Sequence, residues 1–315
     1  MSTIRVEAPG LLTTVQDLGR QGFGPIGVSP SGAGDPISLR LGNRLVSNDQ
    51  SAAALEMMLL GGTFIFPEGA VVALAGSDFA ATLDEVRIAV GTSVEVRPGQ
   101  SLRLGPTNTG ARCYLCVQGG IAVAPFLDSA STHILSALGG FEGRPLRKGD
   151  VLHIGSTSKT KPFHERTIAP QASQPLYRRE VLRVTPGPQA DWFSESSLRS
   201  FYAGTYRVGE RSNRMGLRLE GATIAQQGTG QMITEGVSLG AIQVPPGGAP
   251  IILFVDQQTT GGYPKIANII SADLHRVGQL RPRDEIRFEQ VTFDEARSLL
   301  IAQEKLLASG ELILE

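Results

Sequence analysis

Cysteine, histidine and charge are all sparse in this chain, and each scarcity removes a class of function. Its 315 residues include 2 Cys and 4 His, and charged side chains make up 19%, with a formal net charge of −1. No Lys/Arg run builds a basic face for nucleic acid, and no acidic tail suggests a solvating arm. His133, His153, His164 and His275 are scattered without an HExxH spacing, so no metal site is expected, and His153 reads as part of an alternating strand. The two cysteines lie in Cys113-Tyr114-Leu115-Cys116. That spacing suits redox or metal chemistry, but in a strand residues i and i+3 point to opposite faces, so the pair reads as two buried thiols. Met1-Ser2-Thr3-Ile4-Arg5-Val6-Glu7 has no apolar signal segment, and no apolar run approaches the roughly 18 residues of a membrane span. The expectation is a soluble, cytoplasmic protein with no membrane or nucleic-acid partner.

Several catalytic signatures are absent too. There is no GxxxxGK[ST] loop for phosphates, no GxSxG elbow and no Met-Lys-Met site for attaching biotin. Gly22-Phe23-Gly24-Pro25-Ile26-Gly27 matches GxGxxG in letters only, because no strand feeds it, no helix opens on it, and Pro25 and Pro30 interrupt the run.

Glycine (38) and proline (19) are plentiful, and Val, Ile and Thr fill the apolar runs. This composition predicts many short strands joined by tight turns. The length fits two domains of about 130–150 residues. One pattern occurs three times, a Leu or Val, an Arg, two turn residues, an Asp or Gln, then alternating aliphatics: Val96–Leu104, Leu146–Ile154 and Leu280–Phe288. A second echo places Arg5-Val6 before Pro9-Gly10 and Arg183-Val184 before Pro186-Gly187. Together they predict two related β-rich halves, 1–155 and 181–290. Between them, 156–180 has linker composition, and 291–315 forms a helical tail. Helices are few. Asp35 caps one that starts at Pro36 and runs to Asn48, and Thr292 to Glu295 forms a capping box for another that Gly310 ends. Closed barrels suit such content because closure removes exposed edges.

Chemistry concentrates in three polar clusters. The apolar run Pro250–Val255 reads as a buried strand and empties into Asp256-Gln257-Gln258-Thr259-Thr260-Gly261-Gly262-Tyr263-Pro264-Lys265. Amides, hydroxyls, a phenol and an amine beside two glycines suit a loop that grips a ligand. The second cluster runs from Thr13 to Arg20 and on to Gly27–Asp35, and the third spans Ser212–Gly221, followed by Glu235-Gly236-Val237. Arg20 and Arg214 sit among small residues, where a guanidinium can present a two-pronged fork to carboxylate or phosphate. Equally, each can pair internally with Asp17, Asp35 or Glu220.

These clusters resemble the allophanate hydrolase subunit 2 family of carboxyltransferases. That family includes the C subunit of the bacterial ATP-dependent 5-oxoprolinase and part of the carboxyltransferase region of urea carboxylases. The matching runs are Thr14–Arg20, Gly32–Asp35, Ser212–Gly216, Glu235–Val237, Ile242–Pro245 and Gln258–Pro264, within a similarity from about Ile4 to Phe288. Arg283 departs from a usual Pro-Gly-Asp turn, and Thr234 stands where Ser is common. The resemblance implies a mainly β fold with a few helices, two tandem cyclophilin-like β-barrel domains. It also implies a 5-oxoprolinase subunit active only with subunits B and A (allophanate hydrolase subunit 1-like and lactam-utilisation-like), using ATP, with Mg alongside, shared with those partners. Lys265, Tyr263 and Asp35 (or Asp17 in its place) are the catalytic candidates. Arg20, Arg214, Asn213, Gln258, Thr259, Thr260, Gly261 and Gly262 are the substrate-binding candidates. Two alternatives stay open: a carboxyltransferase subunit acting on urea or a related amide with carboxybiotin on a separate carrier, or a non-catalytic regulator antagonising a sensor-kinase inhibitor.

Overall fold

The computed structural model describes residues 2–156, 163–227 and 232–315. The chain divides into two compact units: 1–20, 31–174 and 309–315 form the first, and 21–30 with 175–308 form the second. Short strands dominate both, as the abundance of glycine, proline and β-branched residues predicts.

The first unit contains β1 (Thr3–Ala8), β2 (Thr13–Gln16), β3 (Ala54–Met58), β4 (Thr63–Ile65), β5 (Ala70–Gly76), β6 (Thr82–Leu83), β7 (Val86–Arg87), β8 (Ser93–Val96), β9 (Ser101–Arg103), β10 (Arg112–Val117), β11 (Ile121–Ala122) and β12 (Val151–Ile154). They form a seven-stranded sheet ordered β11-β12-β1-β4-β9-β6-β7 and a five-stranded sheet ordered β2-β3-β10-β5-β8. Strand β10 is buried throughout, which explains its unbroken apolar run. Cys113 joins the main core, whereas Cys116 lies against Leu39 of the helix Pro36–Leu45, so the two thiols face apart, free and buried. Burial pushes both thiols far above their ordinary range.

That helix begins as expected, with Asp35 accepting from Ser38 N at 3.0 Å. It ends three residues early, because Ser47 adopts φ 60°, outside helical space. The expected linker carries structure of its own. Strand β13 (Thr167–Ile168) pairs antiparallel with Ile313–Leu314, which returns from the far end of the chain, and Leu312 beside it is buried. Residues 157–162 of that linker lie outside the described residues.

The second unit contains β14 (Val181–Pro186), β15 (Tyr206–Val208), β16 (Gly216–Glu220), β17 (Glu235–Gly236), β18 (Ala241–Gln243), β19 (Ile251–Leu253), β20 (Thr260–Gly261), β21 (Lys265–Ile269) and β22 (Glu285–Gln290). Seven of them close into a barrel, β14-β21-β18-β19-β16-β15-β22, sealed by parallel pairing of β14 with β22. In its core Phe201 and Phe288 stack, and Tyr206 is tilted against both. The pair β17 and β20 makes a separate two-stranded ribbon. The helix Phe293–Ala308 follows, and Thr292 and Glu295 form the expected reciprocal cap, with Glu295 accepting from Thr292 N at 2.8 Å and Thr292 Oγ1 from Glu295 N at 3.2 Å. Among the described residues no helix is long and apolar enough to cross a membrane.

The threefold sequence pattern is one structural device. Gln100, Asp150 and Asp284 each donate their backbone N–H to the carbonyl three residues earlier, at 3.1, 3.2 and 3.1 Å. Their side chains accept in return from the N–H of Arg97, Arg147 and Arg281, at 2.7, 2.7 and 2.9 Å. Each turn docks by two backbone bonds onto a single residue, Phe66 just past β4, Val6 of β1 or Val208 of β15. The second echo is therefore misplaced: the counterpart of Arg5-Val6 is Arg207-Val208, and Arg183-Val184 sits in β14. The third turn position has φ 83° at Gly99, 91° at Gly149 and 75° at Arg283. A left-handed L-residue costs about 1–2 kcal/mol, and a glycine forfeits only part of that through its greater entropy loss. The Arg283–Glu210 ion pair is largely exposed and contributes little. Arg283→Gly is therefore expected to stabilise the protein by about 0.5–1 kcal/mol, read as a raised denaturation midpoint, while Gly149→Ala lowers it.

Candidate functional site

The loop after β19 is built on a buried ion pair. Arg214 donates through Nε to Asp256 Oδ2 at 2.8 Å and through its terminal nitrogen to Oδ1 at 3.2 Å, and both residues are buried. Backbone bonds reinforce this anchor, Asp256 N to Arg214 O at 2.8 Å and Phe254 N to Met215 O at 3.0 Å. The internal partner of Arg214 is thus the first residue of the amide-rich run itself. Glu220, expected as an alternative, pairs with Arg207 at 2.7 Å. Asn213 is exposed and closes its own turn, accepting from Met215 N at 2.8 Å.

Past Asp256 the side chains divide by exposure. Gln257 is buried; with its amide turned to suit its neighbours it donates to Ser238 O at 3.1 Å and accepts from Leu239 N at 2.9 Å. Gln258, Thr260 and Tyr263 are exposed, whereas Thr259, Gly261 and Gly262 are half-buried. Ribbon pairing sets Glu235 opposite Gly261 and Gly236 opposite Thr260. A Cβ at Gly261 would fall 2.5 Å from Gln243 Nε2, so any larger residue there would have to displace that buried amide.

Lys265 opens β21, and the register of β21 against β18 shifts by one residue at that point. Such bulges re-aim a side chain next to a site. The Lys265 side chain is only 4% exposed, and its ammonium forms a salt bridge with the Glu235 carboxylate, whose side chain is 45% exposed. Gln189 clamps the two. Its Oε1 accepts from Lys265 N at 3.2 Å, and its Nε2 donates to Glu235 Oε1 at 3.0 Å. Hydrogen bonds from Lys265 and then Gln189 hold the Glu235 carboxyl below its usual range.

In the first unit, Arg20 and Asp35 are each engaged locally. Arg20 is buried, donates to Ser131 O and to Phe126 O (3.4 Å), and lies over the Phe126 ring. Asp17 accepts from Gly19 N, Ser129 Oγ, Ala130 N and Ser131 Oγ, at 2.8, 2.7, 2.6 and 2.5 Å. Asp35 is fully buried, and both its carboxylate oxygens accept from Ser38. Beside it Glu56 accepts from Tyr114 Oη at 2.6 Å, Gly34 N at 2.7 Å and Arg112 Nε at 3.2 Å. Burial, then the Glu56 charge, pushes the Tyr114 phenol well above its ordinary range. These bonds hold a loop and a helix start in place.

The structure therefore gathers Lys265, Tyr263, Gln258, Thr259, Thr260, Gly261, Gly262, Arg214 and Asn213 in the second unit, with Arg20 and Asp35 in the first. Glu235, Gln189 and Asp256 join that constellation through contacts that no sequence pattern signals. Glu235 at least stands in a polar run, but Gln189, after Gly187-Pro188, carries no signal at all. Two open clefts of about 340 and 370 Å³ in the second unit are lined by other residues, and their Arg207–Glu220 and Arg283–Glu210 groups pair among themselves. Among the described residues no cluster of three or more His, Cys, Asp or Glu is arranged to hold a metal.

Residues 26–290 match the family model described as carboxyltransferase domain, subdomain A and B. The chain is 38% identical over 293 residues to the C subunit of the Escherichia coli 5-oxoprolinase, covering 93% of each. It is 35% identical over 324 residues to the urea amidolyase of Saccharomyces cerevisiae, covering 98% of this chain but 18% of that protein. The crystal structure of the K. lactis urea amidolyase superimposes with a TM-score of 0.91 at 34% identity, over 99% of this chain and 20% of that one. The chain belongs to the carboxyltransferase family so described.

Proposed function

We propose that this member of the carboxyltransferase family is one subunit of an ATP-dependent 5-oxoprolinase, which with partner subunits B and A opens 5-oxoproline to glutamate. The observation that carries the reading is the buried Lys265 ammonium at the root of a loop whose exposed groups are amides, hydroxyls and a phenol. Likeness over 93% of both chains to a protein named as the C subunit of 5-oxoprolinase supports it.

The lactam is a stable amide, so its opening needs activation. The reaction balances as 5-oxoproline, ATP and two waters giving glutamate, ADP and phosphate. ATP phosphorylates the amide oxygen and ADP leaves, which opens the carbon to attack by the first water. The ring nitrogen then leaves as the amine of glutamate, and the second water cleaves the resulting acyl phosphate to glutamate and phosphate. Negative charge gathers on oxygen along this path, and a cation fixed in a low-dielectric setting stabilises it without reorganising. Lys265 fills that role. Gln258, Thr259 and Thr260 hold the amide edge, and Tyr263 orients the ring or donates a proton. Arg214 acts through Asp256 by fixing the base of the loop. ATP is shared with the partner subunits.

A second reading is a carboxyltransferase subunit acting on urea or a related amide, with carboxybiotin on a separate carrier; the superposition on a urea amidolyase over 99% of the chain favours it. Reconstitution separates the two. The purified chain alone is expected to show negligible 5-oxoproline-dependent ATP hydrolysis, and adding subunits A and B restores it. No restoration, together with amide-dependent turnover when biotinylated carrier, bicarbonate, ATP and a biotin carboxylase are supplied, would replace the first reading with the second.

A further inference from the structure

The contact between Lys265 and Glu235 joins two pieces of backbone that are held very differently. Lys265 belongs to β21, paired on both sides within the closed barrel. Glu235 belongs to β17, whose strand partner is the two-residue β20, and this ribbon stands outside the barrel order. Space around it is open: a Cβ at Gly236 would meet nothing within 4 Å, and nearby Ile233 is 89% exposed. The ammonium is fixed and buried, while the carboxylate is half-exposed on a lightly held element.

Such a pair cannot simply come apart. Withdrawing one partner leaves a buried charge uncompensated, which is strongly unfavourable. Glu235 can therefore leave only as another anion arrives, and a neutral ligand offers Lys265 nothing in exchange. Gln189 strengthens this coupling, because one amide tethers the ammonium strand by its backbone and the carboxylate by its oxygen.

We propose that Glu235 holds the seat of a carboxylate-bearing ligand on Lys265: the ligand's carboxylate replaces Glu235 by exchange, the ribbon moves with Glu235, and Gln189 is a positioning residue for both partners. This deepens the reading above and rests on it for the identity of the ligand, whose carboxylate would be that of 5-oxoproline. That carboxylate and the lactam oxygen flank the same ring nitrogen, so one ammonium serves both, holding the carboxylate on binding and the oxygen as charge develops on it. The exchange breaks and forms only ionic hydrogen bonds, so no proton or electron is transferred.

The test uses the intact chain alone. Lys265 is acetylated with acetic anhydride and its modification rate followed by peptide mass spectrometry. Glu235→Gln is expected to raise that rate at least about tenfold, and Gln189→Ala, which keeps both charges, by a smaller factor of about two to five. In Glu235→Gln, 5-oxoproline is expected to protect Lys265, whereas 2-pyrrolidinone, the same lactam without its carboxylate, does not. Equal rates in wild type and Glu235→Gln would overturn the guarding role of Glu235, and an unchanged rate in Gln189→Ala would remove Gln189 from it. Equal protection by both lactams, or by neither, would overturn the exchange. Folding of each variant is checked by its thermal transition. These outcomes are separable from the functional reading, which fails if reconstitution with subunits A and B yields no turnover whatever the labelling rates.

Discussion

Lys265→Ala is expected to lower kcat/KM for 5-oxoproline-dependent ATP hydrolysis by about 10²–10³ in the mixture with subunits A and B. That range corresponds to removing one preorganised charge-stabilising donor, about 2.7–4 kcal/mol of transition-state stabilisation. The position has the features the role requires: a side chain 4% exposed, set on a strand of a closed barrel, at the register shift of β21 against β18. Stability should change little, because the partner left behind, Glu235, reaches solvent. Lys265→Arg is expected to rescue poorly, since a planar guanidinium does not fit a site shaped around a compact ammonium. ADP release with and without 5-oxoproline measures the effect, and full activity in Lys265→Ala would remove this residue from the chemistry.

The second large effect concerns stability. Asp256→Ala leaves the Arg214 guanidinium buried without its carboxylate, and breaking such a pair costs about 3–5 kcal/mol. Against a total stability of about 5–15 kcal/mol this is a severe loss. Removing both charges is a different matter. Arg214→Met combined with Asp256→Leu is expected to recover most of the stability, because a well-packed apolar pair replaces a desolvated ionic one. Urea unfolding of Arg214→Met, Asp256→Leu and the double variant gives the coupling directly. A loss below about 1 kcal/mol for Asp256→Ala would mean that water reaches the pair and that the loop base is not held as described.

Sequence reasoning succeeds where the determining interactions are local. The cap at Asp35 and the box at Thr292 and Glu295 span three residues each, and each of the three turns is closed by a side chain reaching back three positions. The mainly β class follows from composition, and the polar loop after Val255 from the abrupt end of an apolar run. Reasoning fails where a partner is distant. Arg214 finds Asp256 42 residues on, and Lys265 finds Glu235 30 residues back, and no spacing rule encodes either pair. The Arg-Val echo misleads for a related reason: two residues fit a half-buried strand anywhere, and only backbone bonds reveal that Val208, not Val184, receives the third turn. The linker composition misleads because one buried Ile168 suffices to seat a two-residue strand once a partner arrives from residue 313 onward.

That late partner bears on how the molecule is made. A ribosome delivers Thr167 and Ile168 long before Ile313 and Leu314, with residues 175–308 of the second unit between them. At ordinary elongation speeds of about 5–20 residues per second the wait is on the order of ten seconds. Throughout that interval the edge of β13 lacks its mate and is open to pairing with strangers. Nascent protein, rather than the finished fold, is then the form most in need of a chaperone.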